Sequence, residues 1–347
     1  MNNSNAPEPI NEEKFDYLLD RLTRIENTDP ESLRRAVRQK MNMAQSRKRR
    51  VRLIRACAAV VLPLFLAAGI WFYFSEGDKA AISEEIKLTL PGGEQVVLGN
   101  TIENEMILGY GNSALKWQDG RLVQEATGSG EPACEPVYAL LDIPKGVCFD
   151  MVLGDGTHVW LNAGSQLRFP LEFTADERRV FLNGEGYFEV AEDAAKRFVV
   201  ETRGNEIIVL GTSFNITAYE NDRRVIATLV SGSVGIVAPV GKATLVPGNQ
   251  AVISSEGIAI SDVDTSLYSS WTAGVFDFEE MTLADICTRL ARWYDAEFVF
   301  EGNAGMERFS GGAWMDEPLD KFLDNIELAT NVVFSRKGGK IVVLPKK

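Results

Sequence analysis

The sequence predicts a multidomain protein: short N-terminal helices, one transmembrane helix, an all-β sandwich-like domain and a small α+β domain. Three observations predict this fold class. Residues 56–74 form an unbroken apolar run, the hydrophobic period changes from 3.6 to 2 after that run, and it changes again from Val275. We place the four parts at residues 1–52, 53–74, 81–265 and 270–347. A chain of 347 residues with 45% hydrophobic content is long enough for more than one core.

The apolar run, ACAAVVLPLFLAAGIWFYF, has 19 residues without a charge, and at about 1.5 Å per residue it matches the thickness of a bilayer core. A cleaved signal peptide is the alternative. It fits poorly because 55 residues precede the run and no small-residue cleavage site follows Phe74. Arginine and lysine cluster before the run and acidic residues follow it, so the N-terminus is expected in the cytoplasm.

Charge and composition narrow the function classes. Residues 1–55 hold 13 basic and 8 acidic side chains, which leaves 23 basic and 41 acidic side chains for the rest. An exported region that acidic repels phosphate backbones, so we expect no direct nucleic-acid partner. With one histidine and four cysteines in the chain, we also expect no metal, no cofactor and no enzyme of the usual hydrolase kinds.

The N-terminal segment carries an apolar stripe at helical spacing, formed by Phe15, Leu18, Leu22 and Ile25. A second helix is predicted from Asp29, a favourable N-cap. Two such helices cannot build a stable core alone, so they should fold against a partner or lie on the membrane surface. The acidic polar face of the first helix favours a protein partner. A frayed tail is the alternative.

The region after the predicted span reads as about a dozen short strands separated by turn residues. LPGGEQVVL and LGDGTHVWL share the pattern Leu-x-x-Gly-x-x-Val-x-Leu, which predicts a recurring hairpin. Within the second copy, Val159 and Leu161 should face the core, with His158 and Trp160 on the other face. We interpret this histidine as part of a partly exposed surface pair and not as a catalytic base.

From Val275 the pattern predicts the order β-α-β-β-α-β-β. Thr282 should cap the first helix, the second should begin at Pro318, and Gly338-Gly339 should turn the last hairpin. This order predicts a small α+β domain with its helices on one sheet face.

Residues 85 to 345 resemble the FecR-type transmembrane anti-sigma factors of Gram-negative envelopes, in the order and spacing of their motifs. The segments that carry the resemblance are GDGTHVWLNAGSQLRFP, RRVFLNGEGYFEVAED, FVVET, VLGTSFNITAY, TLVSGSV, LVPGNQAVI and ARWYDAEFVF. The last part is similar to the short N-terminal domain of secretins and TonB-dependent transducers. The N-terminal segment matches no helix signature of the family, which leaves the identity of its sigma factor open.

The resemblance implies a single-pass inner-membrane protein with periplasmic C-terminal domains. Such proteins hold an extracytoplasmic-function (ECF) sigma factor, and Phe15, Leu18, Leu22 and Ile25 would then lie in a groove on it. The implied periplasmic partner is the signalling domain of an outer-membrane TonB-dependent transporter of the SusC or FecA kind. Envelope proteases would release the sigma factor. A membrane-anchored glycan-binding or structural envelope protein is the alternative, with Trp117 and Trp160 as candidate platforms.

Two further sites are predicted, and the first of them depends on the resemblance. Gly211-Thr212 falls where some members cut themselves, by attack of the threonine hydroxyl on the preceding carbonyl in a single-turnover step. The alternative is that Gly211 marks a bulge or tight bend beside an ordinary strand threonine. Cys134 and Cys148 flank a 13-residue segment in an oxidising compartment, and they either form a disulfide or remain separate thiols.

Overall fold

The computed structural model describes residues 85–98, 107–110, 112–118, 120–127, 135–173 and 176–346. The predicted N-terminal helices and the predicted span at residues 53–74 lie outside them. In these described ranges, no helix is long and apolar enough to cross a membrane. Residues 81–347 belong to one compact unit.

Eighteen strands of the described region form one continuous hydrogen-bonded network, which divides into two sheets. The first sheet contains β1 (Ile86–Thr89), β2 (Gln95–Leu98), β6 (Tyr138–Asp142), β9 (Gln166–Pro170), β10 (Arg178–Glu189), β11 (Phe198–Thr202), β12 (Asn205–Val209), β15 (Val234–Ala238) and β16 (Gly241–Leu245). Its order is β2-β1-β6-β9-β10-β11-β12-β15-β16, with β10 and β11 parallel.

The second sheet shares β10 with the first. Its other strands are β3 (Ile107–Tyr110), β4 (Ser113–Gln118), β5 (Arg121–Ala126), β7 (Phe149–Val152), β8 (His158–Leu161), β13 (Ser213–Ala218), β14 (Val225–Ser231), β17 (Asn249–Ser254) and β18 (Gly257–Asp262). The order is β3-β4-β5-β7-β8-β10-β13-β14-β17-β18, with β5 and β7 parallel. The first half of β10 pairs in one sheet and its second half in the other, so this strand joins the two layers.

The two sheets enclose one apolar core, which confirms the predicted sandwich-like all-β domain. Phe188 of β10 stacks on Phe214 of β13 with ring centroids 5.3 Å apart. It also meets Phe198 of β11 at 6.3 Å. Because β11 belongs to the first sheet and β13 to the second, these rings connect the inner faces of both layers.

The predicted recurring hairpin is confirmed. In the first copy the Leu90 N–H donates to the Glu94 carbonyl at 2.8 Å and the Gly93 N–H to the Leu90 carbonyl at 3.0 Å. In the second copy the equivalent bonds run from Leu153 to Thr157 and from Gly156 to Leu153, both at 2.9 Å. Gly93 and Gly156 have φ values of +90° and +84°, which explains the glycine that the two copies share.

The C-terminal domain follows the predicted order β-α-β-β-α-β-β. A connector with two helical turns, α1 (Ser266–Ser269) and the 3₁₀ turn η1 (Ser270–Ala273), precedes it. The domain contains β19 (Val275–Thr282), α2 (Leu283–Trp293), β20 (Phe298–Phe300), the 3₁₀ turn η2 (Ala304–Met306), β21 (Arg308–Trp314), α3 (Leu319–Ala329), β22 (Val332–Lys337) and β23 (Lys340–Pro345). Thr282 caps α2 as predicted, because its hydroxyl accepts from the Asp285 N–H at 3.2 Å.

The prediction that both helices lie on one sheet face is wrong, because the strands of this domain form two separate sheets. β19 pairs with β21, while β23 pairs with both β20 and β22. Helix α2 contacts β19 and β20, and α3 contacts β21 and β22, so each helix touches both sheets. The buried residues on the two helices therefore belong to one apolar cluster with residues from both sheets.

Candidate functional site

The residues predicted to bind a sigma factor, Phe15, Leu18, Leu22 and Ile25, lie outside the described part of the chain, so their role stays a prediction. The described part presents two other features: a bend at Gly211-Thr212 and the junction between the sandwich and the α+β domain. No group of three or more His, Cys, Asp or Glu side chains in this part is arranged to hold a metal ion.

His158 and Trp160 lie side by side on the outer face of the second sheet, as their alternation predicts. The His158 Nε2 atom lies 2.9 Å from a carboxylate oxygen of Asp150. Trp160 packs against Tyr187, with ring centroids 5.6 Å apart, and joins the cluster beneath the α+β domain. The tryptophan therefore contributes to the junction between the two domains.

Hydrogen bonds hold the backbone on both sides of the Gly211-Thr212 peptide bond. The Leu210 carbonyl accepts from the Asp193 N–H at 2.9 Å and from the Arg178 guanidinium at 3.4 Å. The Thr212 carbonyl accepts from the N–H of the residue that follows β10, at 3.0 Å. The residues before and after Gly211 are thus both tied to the β10 side of the sandwich.

Close packing surrounds the same bond. The Thr212 hydroxyl donates to the Ser233 carbonyl at 3.1 Å, and the side chain is 5% exposed. A Cβ atom on Gly211 would lie 2.4 Å from the Glu192 Cγ atom. A Cβ atom on Gly232, which has a φ of +90°, would lie 2.7 Å from both the Gly211 carbonyl oxygen and the Thr212 hydroxyl. Gly211 and Gly232 are therefore both required where the bend before β13 approaches the turn between β14 and β15.

This geometry accounts for Gly211 as a close-approach position without any reaction. Thr212 lies just before β13 and not within it. The same crowding holds the hydroxyl and the neighbouring carbonyls in fixed positions, which self-cleavage would also need. Self-cleavage therefore stays a prediction.

The α+β domain packs its core against the outer face of the second sheet. One apolar cluster joins Trp271, Phe276 and Phe278 to Tyr187 of the sandwich, with Trp160 at its margin. Because Glu185, Tyr187 and Glu189 alternate with core residues along β10, their side chains point to this outer face. The face that the C-terminal domain covers therefore contains charged as well as aromatic side chains.

Glu185 is the centre of a buried polar network in this junction. The side chain is 7% exposed and accepts three hydrogen bonds. One oxygen accepts from Asn162 at 2.9 Å. The other accepts from Asn215 and from Thr217, both at 3.0 Å. The donors come from the loop after β8 and from β13, so the carboxylate ties three segments of the sandwich together.

The orientation of the two asparagine amides in this network follows from their other hydrogen-bond partners. The indole N–H of Trp271 can only donate, and it lies 3.2 Å from the Asn215 Oδ1 atom. The Asn215 amide nitrogen must therefore face Glu185. Likewise the Ala163 N–H donates to the Asn162 Oδ1 atom at 2.8 Å, which turns the Asn162 nitrogen toward the carboxylate. Every partner donates to Glu185, which is the arrangement that suits an ionised carboxylate.

Contacts of a charged side chain on α2 stabilise the edge of the junction. Arg292 of α2 pairs with Asp222, and its guanidinium lies 3.7 Å from the centre of the Tyr219 ring. The Tyr219 hydroxyl donates to the Ala163 carbonyl at 2.9 Å. Burial, reinforced by the nearby Glu185 charge, raises the pKa of Tyr219, so this hydroxyl remains a donor at neutral pH.

A small cavity of about 20 Å³ lies within the junction, which is room for about one water molecule. Its polar lining includes Glu185 and two arginines of α2. The lining residues are Asn162, Glu185, Tyr219, Leu267, Ser270, Trp271, Val275, Phe276, Asp277, Arg289, Arg292 and Trp293.

Cys148 lies at the edge of the junction, and Cys134 lies outside the described residues, so the disulfide stays a prediction. The Cys148 Sγ atom lies 3.3 Å from the Asn162 Oδ1 atom. Burial, with a smaller contribution from the Glu185 charge, raises the pKa of the Cys148 thiol to about 12. In this structure the sulfur is therefore a protonated thiol at neutral pH and not a reactive thiolate.

The sequence pattern does not single out Glu185, Asn215 or Trp271 as functional residues. One local signal was available, because Glu185 lies between two glycines in Asn-Gly-Glu-Gly-Tyr. A Cβ atom on Gly184 would lie 2.4 Å from the Ser165 hydroxyl, so this glycine marks a close approach between β10 and the loop after β8. Charge flanked by glycines in a strand is the pattern that could have singled it out.

Comparison with known proteins gives matches to both described domains. The family model described as FecR protein matches residues 141–235, and the model described as FecR, C-terminal matches residues 275–343. No curated protein matches the chain.

Two crystal structures of a candidate anti-sigma factor from Parabacteroides distasonis ATCC 8503 are similar to this chain. Each is 29% identical to it. The structure at 1.65 Å covers 60% of this chain and 99% of its own, with a TM-score of 0.56. The structure at 2.50 Å covers 61% and 100%, with a TM-score of 0.57. These two domain matches, in the predicted order, confirm the resemblance to the FecR family over residues 141–235 and 275–343.

Proposed function

We propose that this chain is a single-pass inner-membrane anti-sigma factor. One observation carries the proposal: the FecR domain and the FecR C-terminal domain occur in one compact unit that resembles a candidate anti-sigma factor. The apolar run at residues 56–74 and the basic residues before it support a cytoplasmic N-terminus with periplasmic C-terminal domains.

The proposed sigma-binding element is the segment 1–52. Its apolar stripe of Phe15, Leu18, Leu22 and Ile25 has no core of its own, and it would order against a groove on an ECF sigma factor. Holding the sigma factor at the membrane keeps it from RNA polymerase.

The proposed signal enters at the α+β domain. Its source is the periplasmic signalling domain of an outer-membrane TonB-dependent transporter of the SusC or FecA kind, and envelope proteases then release the sigma factor. The extensive junction supports a relay, because a partner that displaces the α+β domain must also disturb the sandwich.

The experiment that tests sigma binding is a pull-down from the cytoplasm with a peptide of residues 1–55. Recovery of a sigma factor is the expected result. In the full chain, the double variant Leu18→Asp and Leu22→Asp should lose binding and leave the target genes active without a signal, since each lost anchor costs about 2 kcal/mol or more.

The matched control is Leu33→Asp with Val37→Asp in the second predicted helix, which should bind more tightly than the first double variant. If the first pair binds like the wild type and the control pair does not, the contact lies on the second helix. A peptide that captures no sigma factor would count against the proposal.

A glycan-binding envelope protein is the alternative function, and the described aromatic residues favour it less. Trp117 stacks on Phe149 with ring centroids 5.6 Å apart and packs against the sandwich core. Trp160 packs at the junction. Both candidate platforms are thus engaged in packing.

Self-cleavage at Gly211-Thr212 is a second proposed activity. The Thr212 hydroxyl oxygen would attack the Gly211 carbonyl carbon, the peptide C–N bond would break, and the hydroxyl proton would pass to the freed Thr212 amine. Water would then hydrolyse the ester, giving a Gly211 carboxyl group and restoring the hydroxyl. The fixed hydroxyl and the glycine-lined approach support this step.

The two pieces would remain associated after such a cut. β10 and β13 lie on opposite sides of the bond in sequence and pair over six residues, and β12 pairs with β15. A denaturing gel of the purified chain should therefore show two bands for the wild type and one for Thr212→Ala. Thr212→Ser, which retains a hydroxyl, is the control that should still cut. A single full-length band from all three proteins would remove self-cleavage.

A further inference from the structure

A directional chain of hydrogen bonds joins the connector of the α+β domain to a strand of the sandwich. Trp271, in the connector to the α+β domain, donates to Asn215, and Asn215 donates to Glu185. All three side chains are buried, at 6%, 2% and 7% exposure. The indole is the first donor of this chain, and the carboxylate is its final acceptor.

This chain ends on the β10–β13 pair, where Glu185 lies opposite Thr217, five residues along β13 from Thr212. β13 begins at Ser213, the residue after Thr212, and Asn215 and Thr217 of β13 both donate to Glu185. Residues 213 to 218 of β13 pair with β10, which carries Glu185, over their whole length. The network is therefore part of the contact that holds β13 in the second sheet.

We infer that the docking of the α+β domain controls the stability of the β10–β13 pairing through the Trp271–Asn215–Glu185 chain. When the domain moves away, the Trp271 N–H leaves Asn215, and water reaches the carboxylate that had three protein donors. β13 then separates more readily from β10. The role of this coupling in signalling rests on the relay proposed above, but the coupling itself does not depend on that relay.

A buried carboxylate such as Glu185 suits such coupling better than an apolar contact. Apolar packing is not directional and weakens gradually as surfaces slide apart. A buried carboxylate instead requires its donors in specific positions, and hydrogen bonds in such networks strengthen one another. The loss of the Trp271 donor therefore weakens the hydrogen bonding of Glu185, which lies two hydrogen bonds away.

The test is amide hydrogen exchange of the full chain, comparing Trp271→Phe with the wild type. Phenylalanine keeps an aromatic ring in the cluster but cannot donate to Asn215. Amides of β13 should exchange about tenfold faster, the ratio that corresponds to one ordinary hydrogen bond. Amides of β1, which pairs with β2 and β6 of the first sheet and not with β10, should exchange at the wild-type rate.

Trp293→Phe is the matched control, because the Trp293 indole donates at 2.7 Å to the Met315 carbonyl inside the α+β domain and not to Asn215. Its β13 amides should exchange as in the wild type. Equal β13 exchange in the two variants would overturn the coupling, and so would an equal rise in β1 and β13, which indicates general unfolding. Because no sigma factor enters this measurement, it fails independently of the sigma pull-down.

Discussion

The interior of the sandwich and the junction with the α+β domain are both buried, but they are built differently. The interior is apolar, with Phe188 and Phe214 stacked at 13° between their planes and both fully buried. The junction combines the Tyr187 and Trp271 rings with a buried carboxylate and its donors.

The difference separates stability from positioning. Apolar burial supplies free energy in proportion to area and specifies orientation weakly. The hydrogen bond from Trp271 to Asn215 adds less net free energy, but it forms only when the connector is docked in one position on the sandwich. The interior therefore supplies most of the stability of the sandwich. The junction instead fixes the position of the α+β domain and can separate without unfolding the interior.

The largest effect is expected inside the sandwich. Phe214→Ala removes a fully buried ring and should lower the free energy of unfolding by about 3–5 kcal/mol, measured by urea denaturation. Phe173→Ala, at a partly buried position beside Phe198, is the matched control and should cost clearly less. Equal losses at the two positions would contradict the assignment of the interior as the main source of stability.

A smaller and more local effect on stability is expected at Glu185. Glu185→Ala leaves three donors, of which Asn215 is fully buried, without their acceptor and should cost about 2–3 kcal/mol. Limited proteolysis should then cut the connector at residues 263–274 before the sandwich. Glu206→Ala removes an ion pair with Arg179 on the outer face of the first sheet, and should cost less than about 1 kcal/mol. Proteolysis at the same rate in both variants would remove the distinction between junction and interior.

A single hydroxyl should give a still smaller effect. Tyr219→Phe deletes the bond to the Ala163 carbonyl while the ring stays under Arg292, so we expect a loss of about 1 kcal/mol. Thermal unfolding measures it as a lower midpoint. Tyr138→Phe, on the partly exposed outer face, should leave the midpoint nearly unchanged. A larger shift for Tyr138→Phe would show that the junction hydroxyl has no special role.

The smallest effect concerns pH and the outer face of the first sheet. Burial raises the pKa of Glu177, but hydrogen bonds from Arg179 and Arg197 outweigh it and hold the pKa below its ordinary value. A carboxylate with a lowered folded-state pKa contributes stability above its unfolded pKa, and that contribution is lost as the pH falls through the folded-state pKa.

Glu177→Gln should therefore destabilise the chain at pH 7 by less than about 1 kcal/mol, and the difference from the wild type should shrink as the pH falls below about 4. Urea midpoints at several pH values measure this. Glu256→Gln, at an exposed turn between β17 and β18, is the control. A pH-independent difference would mean that the Glu177 charge contributes nothing.

Local patterns determined much of the architecture. Alternating apolar residues predicted the strands, and the shared Leu-x-x-Gly pattern predicted two hairpins with the same hydrogen bonds. The order of the α+β elements and the Thr282 cap were also predictable. These features succeed because turn chemistry, capping and side-chain period act over a few neighbouring residues.

Strand pairing was not predictable in the same way. The sequence predicts one sheet face for both helices of the α+β domain, but the structure separates its strands into two sheets. The choice depends on which distant strand completes each edge, and no local pattern encodes it. The division of β10 between two layers has the same origin.

The resemblance to FecR domains, the all-β and α+β classes and the positions of the turns could all be predicted from the residue pattern, because each is encoded in neighbouring residues. The role of Glu185 as the centre of a buried network depends on long-range folding, since Asn215 and Trp271 are 56 positions apart and Asn162 comes from another strand connection. A glutamate in an alternating strand ordinarily faces solvent. Here the covering domain removes the water, and a buried carboxylate must then collect donors from every segment within reach.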